Sequence, residues 1–217
     1  MESIVVFGAG RHAKVVADVL ACQGNGRVVG FLDDERSLHG KAKWGLPVLG
    51  GREQFPQLLR DGVARMIVAI GENCLRKAVY VDAINAGFEL ITAVHPSVQL
   101  GGGVTIGAGC LFVAGVIVNV DASIDEDVIL NTGVTVDHDC RVAAHAHLSP
   151  GVHLAGNVSV GELTHIGMGA LILPNLTIGR RCVIGAGAVV RESIPDGMVV
   201  SGNPARILRK NEEISNA

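Results

Sequence analysis

From Val94 to Pro195 the chain places an aliphatic or aromatic residue at every sixth position, unbroken through 17 hexads. First positions run Val94, Leu100, Ile106, Phe112 and onward to Val190. Fifth positions are Val, Cys, Ala, Thr, Leu or Ile from Val98 to Ile194. A period of six fits neither a helix nor a strand, and hexapeptide periodicity signals a parallel β-helix. Three hexads to a triangular coil of 18 residues predict five to six coils. At the spacing of hydrogen-bonded strands that is a prism on the order of 27 Å tall. Its inward residues stack on their equivalents one coil away.

The first 93 residues carry a different pattern. Ile4-Val5-Val6-Phe7 reads as a short buried strand, followed by Gly8-Ala9-Gly10-Arg11-His12-Ala13 and an amphipathic segment to about Cys22. Strand, glycine turn and helix in that order fit G-x-G-x-x-A. Its first glycine makes the turn, its second admits a diphosphate, and its small third residue packs helix on strand. The helix N-terminus offers N–H groups to phosphate. A second strand, Val28 to Leu32, ends in Asp33-Asp34, about where an acidic residue meets a ribose hydroxyl. Then come a loop with Pro47-Val48-Leu49, a helix near Arg52 to Arg60, a strand Met66 to Ile70, a helix from about Cys74 to Ala86 and a last strand near Glu89 to Val94. The alternation predicts a small Rossmann-like α/β domain with a parallel sheet over residues 1–93, and the β-helix with its tail over 94–217. A dinucleotide dehydrogenase is disfavoured, because the first unit has about half the length of a full dinucleotide-binding domain. A nucleoside diphosphate suits it better.

Hydrophobic content of 48% is largely the repeat's own core. No run approaches the roughly 18 apolar residues of a membrane span, and Met1-Glu2-Ser3 lacks a basic leader, so the expected location is cytoplasmic. A net charge of −3 excludes the basic footprint of a general nucleic-acid binder. Cys110, Cys140 and Cys182 fall on fifth positions, while Cys22 and Cys74 lie in helical stretches. With no CxxC spacing, all five read as small buried hydrophobes, and no metal is expected.

Six histidines lie in the repeat: His95, His138, His145, His147, His153 and His165. Taken singly, each reads as a surface residue. His138 differs, since Asp137 and Asp139 flank it, and imidazole beside carboxylate is the arrangement of a general base. One coil on stands Gly156, leaving room above His138 and offering an N–H to a developing oxyanion. His147 lies nine residues from His138, half a coil, and so points from the opposite side of the prism. A ligand touching both requires neighbouring chains and an oligomer.

Hexad-repeat left-handed β-helices resemble one another as a group, most being acyltransferases that use acetyl-CoA or acyl carrier protein. The tail segment Ser201-Gly202-Asn203-Pro204-Ala205-Arg206 looks like the loop that closes such helices. The opening Phe7-Gly8-Ala9-Gly10-Arg11-His12-Ala13, together with Asn131-Thr132, Asp137-His138-Asp139-Cys140, Ser149 and Ala155-Gly156-Asn157, closely resembles the bacterial nucleotide-sugar N-acetyltransferases of the bacillosamine and perosamine type. The sialic-acid O-acetyltransferases are related. The resemblance implies His138 as general base with Asp139 orienting it. It implies an acetyl-CoA site including Gly156, His147, Ala186 and Pro204, and substrate contacts from Gly8, Gly10, Arg11, His12, Asp33, Asp34 and Asn131. It also implies a homotrimer with sites between chains and no metal. Many members have Gly-x-x-Gly-His at the turn, where this chain has Arg11, a cation suited to a diphosphate.

The implied reaction is direct acetyl transfer from acetyl-CoA to the amino group of a UDP-, GDP- or dTDP-linked 4-amino-4,6-dideoxy sugar. The alternative is O-acetylation of sialic acid or a related sugar. A zinc carbonic anhydrase of the same architecture needs three histidines around one metal and leaves the first domain without a task. A non-catalytic sugar-nucleotide sensor leaves Asp137-His138-Asp139 without one.

Overall fold

The computed structural model describes residues 2–211. Its first unit is a six-stranded sheet: β1 (Glu2–Phe7), β2 (Gly26–Leu32), β3 (Ala42–Lys43), β4 (Leu46–Gly50), β5 (Arg65–Val68) and β6 (Glu89–Leu90), ordered β3-β4-β2-β1-β5-β6. All neighbours are parallel except β3 and β4. Alternation along β1 sends Ile4 and Val6 to one side and Val5 and Phe7 to the other. Helix α1 (Arg11–Gln23) covers the first side, while α2 (Phe55–Arg60) and α3 (Asn73–Ala86) cover the second. The short antiparallel β3–β4 hairpin, expected as loop, turns at Trp44, whose ring meets Phe31 edge-on at 5.4 Å. The strand expected over 89–94 is two elements. Glu89–Leu90 edges the sheet, whereas Ala93–Val94 is the first rung of the β-helix.

From Ala93 each hexad forms one two-residue strand, and the strands stack in three parallel sheets. The first face includes Leu111–Phe112, Ile129–Leu130, His147–Leu148 and His165–Ile166. The second includes Ile117–Val118, Thr135–Val136, His153–Leu154 and Leu171–Ile172. The third includes Ser123–Ile124, Arg141–Val142, Ser159–Val160 and Thr177–Ile178. Pairing joins each residue to that 18 positions on, as with Thr135 to His153. First and fifth hexad positions fill the interior: Leu130, Val134, Val136, Cys140, Ala146 and Leu148 are fully buried. Thr164, the polar exception, donates its hydroxyl to Gly179 O at 2.7 Å. The coil is left-handed, as in the acetyltransferases that share the fold.

Each coil turns at three corners: first to second face near Asn131–Gly133, second to third near Asp137–Asp139, and third to first near 143–145. The corners of the successive inner coils each use a left-handed residue. The first uses glycine (Gly115, Gly133, Gly151, Gly169), the second aspartate or asparagine (Asp121, Asp139, Asn157, Asn175). The third uses Asp127, His145, Leu163 and Arg181, with φ from 53° to 61°.

The α/β unit sits on the first face. Residues α1 buries, such as Val16, Val19 and Leu20, share one apolar cluster with Leu111, Val113 and Ile129 of the β-helix. Strands Met198–Gly202 and Ala205–Lys210 close the prism as a hairpin, with Asn203-Pro204 in the turn and cis. Of the expected tail, 212–217 lie outside the described residues. Among the described residues no helix is long and apolar enough to cross a membrane. Leu148 is fully buried within the column. Leu148→Ala is expected to cost about 2–5 kcal/mol, read as a lower urea midpoint; an unchanged midpoint contradicts the stacked core.

Candidate active site

The glycine turn opens a cleft of roughly 560 Å³ lined by Phe7, Gly8, Gly10, Arg11, His12, Asp33, Asp34, Glu35, Ala69, Ile70, Gly71 and Leu75. Gly8, at φ 110°, admits no side chain, since a Cβ there would stand 2.8 Å from Ala69 O. A Cβ on Gly10 would meet nothing within 4 Å, so that residue faces open space. Helix α1 starts without a side-chain cap, leaving its first N–H groups for a ligand anion. Ala13 is fully buried, as the motif requires. The two aspartates have further tasks. Asp33 accepts from Ala9 N–H at 2.8 Å and Glu35 N–H at 2.9 Å, bracing the turn. Asp34 pairs with Arg52 at 2.9 Å.

Beneath the cleft lies a column of histidines. The His12 ring lies 6.3 Å from that of His147, which stacks on His165 at 4.9 Å. His147 Nδ1 donates to Gly71 O at 3.0 Å, and His165 Nε2 meets Ser149 Oγ at 2.9 Å. The Nε2 atoms of His12 and His147 are buried with no hydrogen-bond partner. Burial, reinforced by Arg76, pulls the His12 pKa down to about 4. Burial, then His165, pulls His147 down to about 3, against the opposing pull of its bond to Gly71. Both rings are therefore neutral at pH 7.

Two expectations need correction here. His145 and His147 are not surface residues: they are 4% and 8% exposed, because the α/β unit covers them. His147 sits in the seam between the units beside His12, apart from Gly156, Ala186 and Pro204. Similarly, Cys22 and Cys74 are exposed, Cys74 at a crevice that Leu163 and His165 of the β-helix also line, whereas Cys110, Cys140 and Cys182 are buried.

The second corner, across the prism from the first face, holds His138. Its Nδ1 meets Asp139 Oδ2 at 2.8 Å, and both side chains are more than half exposed. Asp137 accepts from the His138 backbone N–H at 2.8 Å and from Asn119 at 2.8 Å, fixing the turn. The bond to Asp139 raises the His138 pKa above its ordinary 6.5. Gly156 lies directly over the imidazole, since a Cβ there would stand 2.6 Å from both Cε1 and Nε2. Among the described residues the Gly156 N–H makes no hydrogen bond. Asn131, Ser149 and Ala186 stand at the first corner, on the other side of the second face, and Pro204 at the closing hairpin.

Sequence reasoning missed the Ala69-Ile70-Gly71 floor of the cleft and Leu75, which is 48% exposed at its edge. The available signal was a second strand–turn–helix, β5 into α3, beside the first. Among the described residues no group of three His, Cys, Asp or Glu is arranged to hold a metal ion.

The neutral histidines make stability depend on pH. Their folded pKa values lie below the unfolded 6.5, so between these limits the unfolded chain binds more protons. Stability is full above about pH 6.5 and falls with pH below it, by up to about 1.4 kcal/mol per pH unit for each group. Urea melts from pH 7 to 5 should show that slope, and His147→Gln should reduce it. An equal slope in the variant contradicts the assignment.

Residues 3–83 match the PglD N-terminal domain, and residues 157–192 the bacterial transferase hexapeptide repeat. The chain is 41% identical to PerB from Caulobacter crescentus, solved in complex with CoA and GDP-perosamine, covering 96% of this chain and 98% of that one with a TM-score of 0.92. Variants of that perosamine N-acetyltransferase with one histidine replaced by asparagine or alanine are also solved in complex with both molecules. The acetyltransferase domain of PglB from Neisseria gonorrhoeae, in complex with acetyl coenzyme A, is 37% identical over 95% of this chain and 99% of that one, with a TM-score of 0.88. UDP-N-acetylbacillosamine N-acetyltransferase of Bacillus subtilis (strain 168) is 33% identical over 116 residues, 52% of each protein, so the match spans about half that relative's length. With near-complete coverage by the perosamine and PglB enzymes, the chain belongs to the left-handed β-helix family of nucleotide-sugar N-acetyltransferases.

Proposed function

We propose that the protein transfers an acetyl group from acetyl-CoA to the amino group of a nucleotide-linked 4-amino-4,6-dideoxy sugar, with His138 as general base. The observation that carries this reading is the unit of Asp139, His138 and Gly156. A carboxylate holds Nδ1, Nε2 is left for a proton, and an unengaged N–H sits one coil above. Labour divides between residues 1–93, which bind the sugar nucleotide through Gly8, Gly10, Arg11, His12 and the Asp33-Asp34 turn, and residues 94–217, which carry the transfer. The relatives' complexes with CoA, acetyl-CoA and GDP-perosamine support the choice of substrates.

In the transfer, the sugar amine attacks the thioester carbonyl while His138 Nε2 takes a proton from the nitrogen. Asp139 stabilises the imidazolium as it forms. The tetrahedral oxyanion is met by the Gly156 N–H, and collapse expels coenzyme A as its thiolate, which recovers the proton. No acyl-enzyme is required.

The trimer belongs to the same proposal. The cleft lies on the first face and His138 on the corner opposite, so one chain cannot bring its own cleft to its own base. The third face is polar at its outward positions, with Ser123, Arg141, Ser159 and Thr177. The second exposes Ile117 and Leu171, flanked by Met168 and Leu173. A copy seated there sets the second corner of one chain, with His138 and Gly156, beside the first corner of the next, with Asn131, Ser149 and Ala186. His147, in the seam, serves the sugar side of the site in this arrangement. Because acetyl-CoA and sugar nucleotides are made in the cytoplasm, the enzyme works there.

The test is thiol release from acetyl-CoA against UDP-, GDP- and dTDP-linked 4-amino sugars and sialic acid. Turnover with a nucleotide-linked amine is expected; turnover with sialic acid alone would shift the reading to O-acetylation. With the accepted sugar, His138→Ala should lose about 10²–10⁴-fold in kcat yet retain CoA binding. Activity should rise with pH through the raised His138 pKa, and Asp139→Asn, which removes the main cause of the shift, should move that acid limb to lower pH. Near-normal kcat in His138→Ala would sink the assignment.

A further inference from the structure

At the third corner α3 buries a guanidinium completely. Arg76 Nε donates to Asp127 Oδ2 at 3.0 Å and to Asp127 O at 3.2 Å. Nη2 donates to His145 O at 2.6 Å, and Nη1 to Asn73 Oδ1 at 2.9 Å and Ile70 O at 3.3 Å. Asp127 Oδ2 also meets His145 Nδ1 at 2.8 Å, and Tyr80 lies edge-on to the His145 ring. One side chain thus reaches acceptors on both units at once.

The acceptors are not arbitrary. Asp127, His145 and Leu163 are stacked left-handed residues of successive coils, a conformation that costs a non-glycine residue energy unless its surroundings hold it. Arg76 takes the carbonyls of the first two, and Asn73 Nδ2 takes that of Leu163 at 3.0 Å. On the other unit, Ile70 belongs to the floor of the cleft, and the next carbonyl, Gly71, holds His147 Nδ1. His147 follows His145 by two residues. Arg76 therefore fixes both sides of the His147 setting: the turn whose carbonyl selects its tautomer, and the backbone that leads into it. Adhesion alone would be served as well by apolar packing, whereas a planar fork that fills several acceptors is suited to fixing geometry.

We propose that Arg76 is a positioning residue, locking the Ile70–Asn73 turn against the His145–His147 segment. The cleft then presents its sugar at one distance and angle from the β-helix, and His147 keeps an Nδ1–H with Nε2 as an acceptor beside His12. This rests on the reading that the cleft binds the nucleotide-linked sugar.

Arg76→Lys retains the charge facing Asp127 but cannot span all the acceptors. In the full-length protein, kcat/KM for the accepted sugar nucleotide should fall roughly 10- to 100-fold, while CoA affinity stays at the wild-type value. Nitrogen NMR of His147, assigned by loss of its signals in His147→Gln, should pass from a single Nδ1–H tautomer to a mixture. If the lysine variant folds poorly, Arg76→Met with Asp127→Leu replaces the buried pair by apolar side chains, and the same readouts apply. An unchanged kcat/KM, or a loss matched by loss of CoA binding, overturns the proposal. Should the wild type acetylate no sugar nucleotide, the functional reading fails separately. The tautomer and the affinity for GDP, UDP and dTDP then decide the role of Arg76, an unaltered tautomer and affinity in the lysine variant overturning it.

Discussion

Backbone hydrogen bonds between coils 18 residues apart govern the arrangement of the molecule. Each rung donates to the rung above, as Thr135 N–H does to Val152 O, so a residue's height and bearing on the prism follow from its number. The rule is strict because the interior is narrow: a shift of one residue would turn the fully buried Leu130, Leu148 and Val136 toward solvent. It brings Gly156 over His138 and His165 over His147, and it separates those two pairs by most of the prism's width. Two chemically different sites are thereby built from one repeat. One is exposed, with an imidazole made more basic by a carboxylate; the other is buried, with imidazoles held neutral.

What joins them is the seat of the α/β unit on the first face. Apolar packing of α1 against Leu111, Val113 and Ile129 supplies the non-directional part of the contact. Direction comes from polar groups at the third corner, where Arg76, Asn73 and the Lys77–Glu162 pair engage successive coils. Those bonds fall where the turn residues are least suited to a left-handed backbone. The same contacts that secure the corner also hold the floor of the cleft.

Much of this was legible in the sequence. The hexads gave the coil, its core and the stacking of Gly156 on His138, since a strict period converts numbering into position. The strand-glycine-helix opening gave the cleft's first wall. Residues whose environment is made by the other unit escaped. His145 and His147 occupy outward positions and read as exposed until the α/β unit covers them, His145 by Arg76 and Tyr80 of α3 and His147 by the Gly71 turn and His12, and Arg76 is an ordinary helix arginine until its buried side is seen. The second wall, Ala69 to Gly71, escaped because its turn carries one glycine instead of a fingerprint. Trp44 and its hairpin escaped because β3 is only two residues long and does not recur, and Pro47 inside β4 reads as a loop residue.

The central claim is that the cleft of one chain serves His138 of another. Mixed oligomers test it most directly: His138→Ala chains and Gly8→Val chains, the latter with a side chain where Ala69 O allows none, are unfolded, combined, refolded and assayed. Each parent should be nearly inactive and the mixture should regain a substantial part of wild-type acetyl transfer, since some interfaces pair an intact cleft with an intact base. A mixture as inactive as its parents, with mixed assembly verified by mass, would contradict the account.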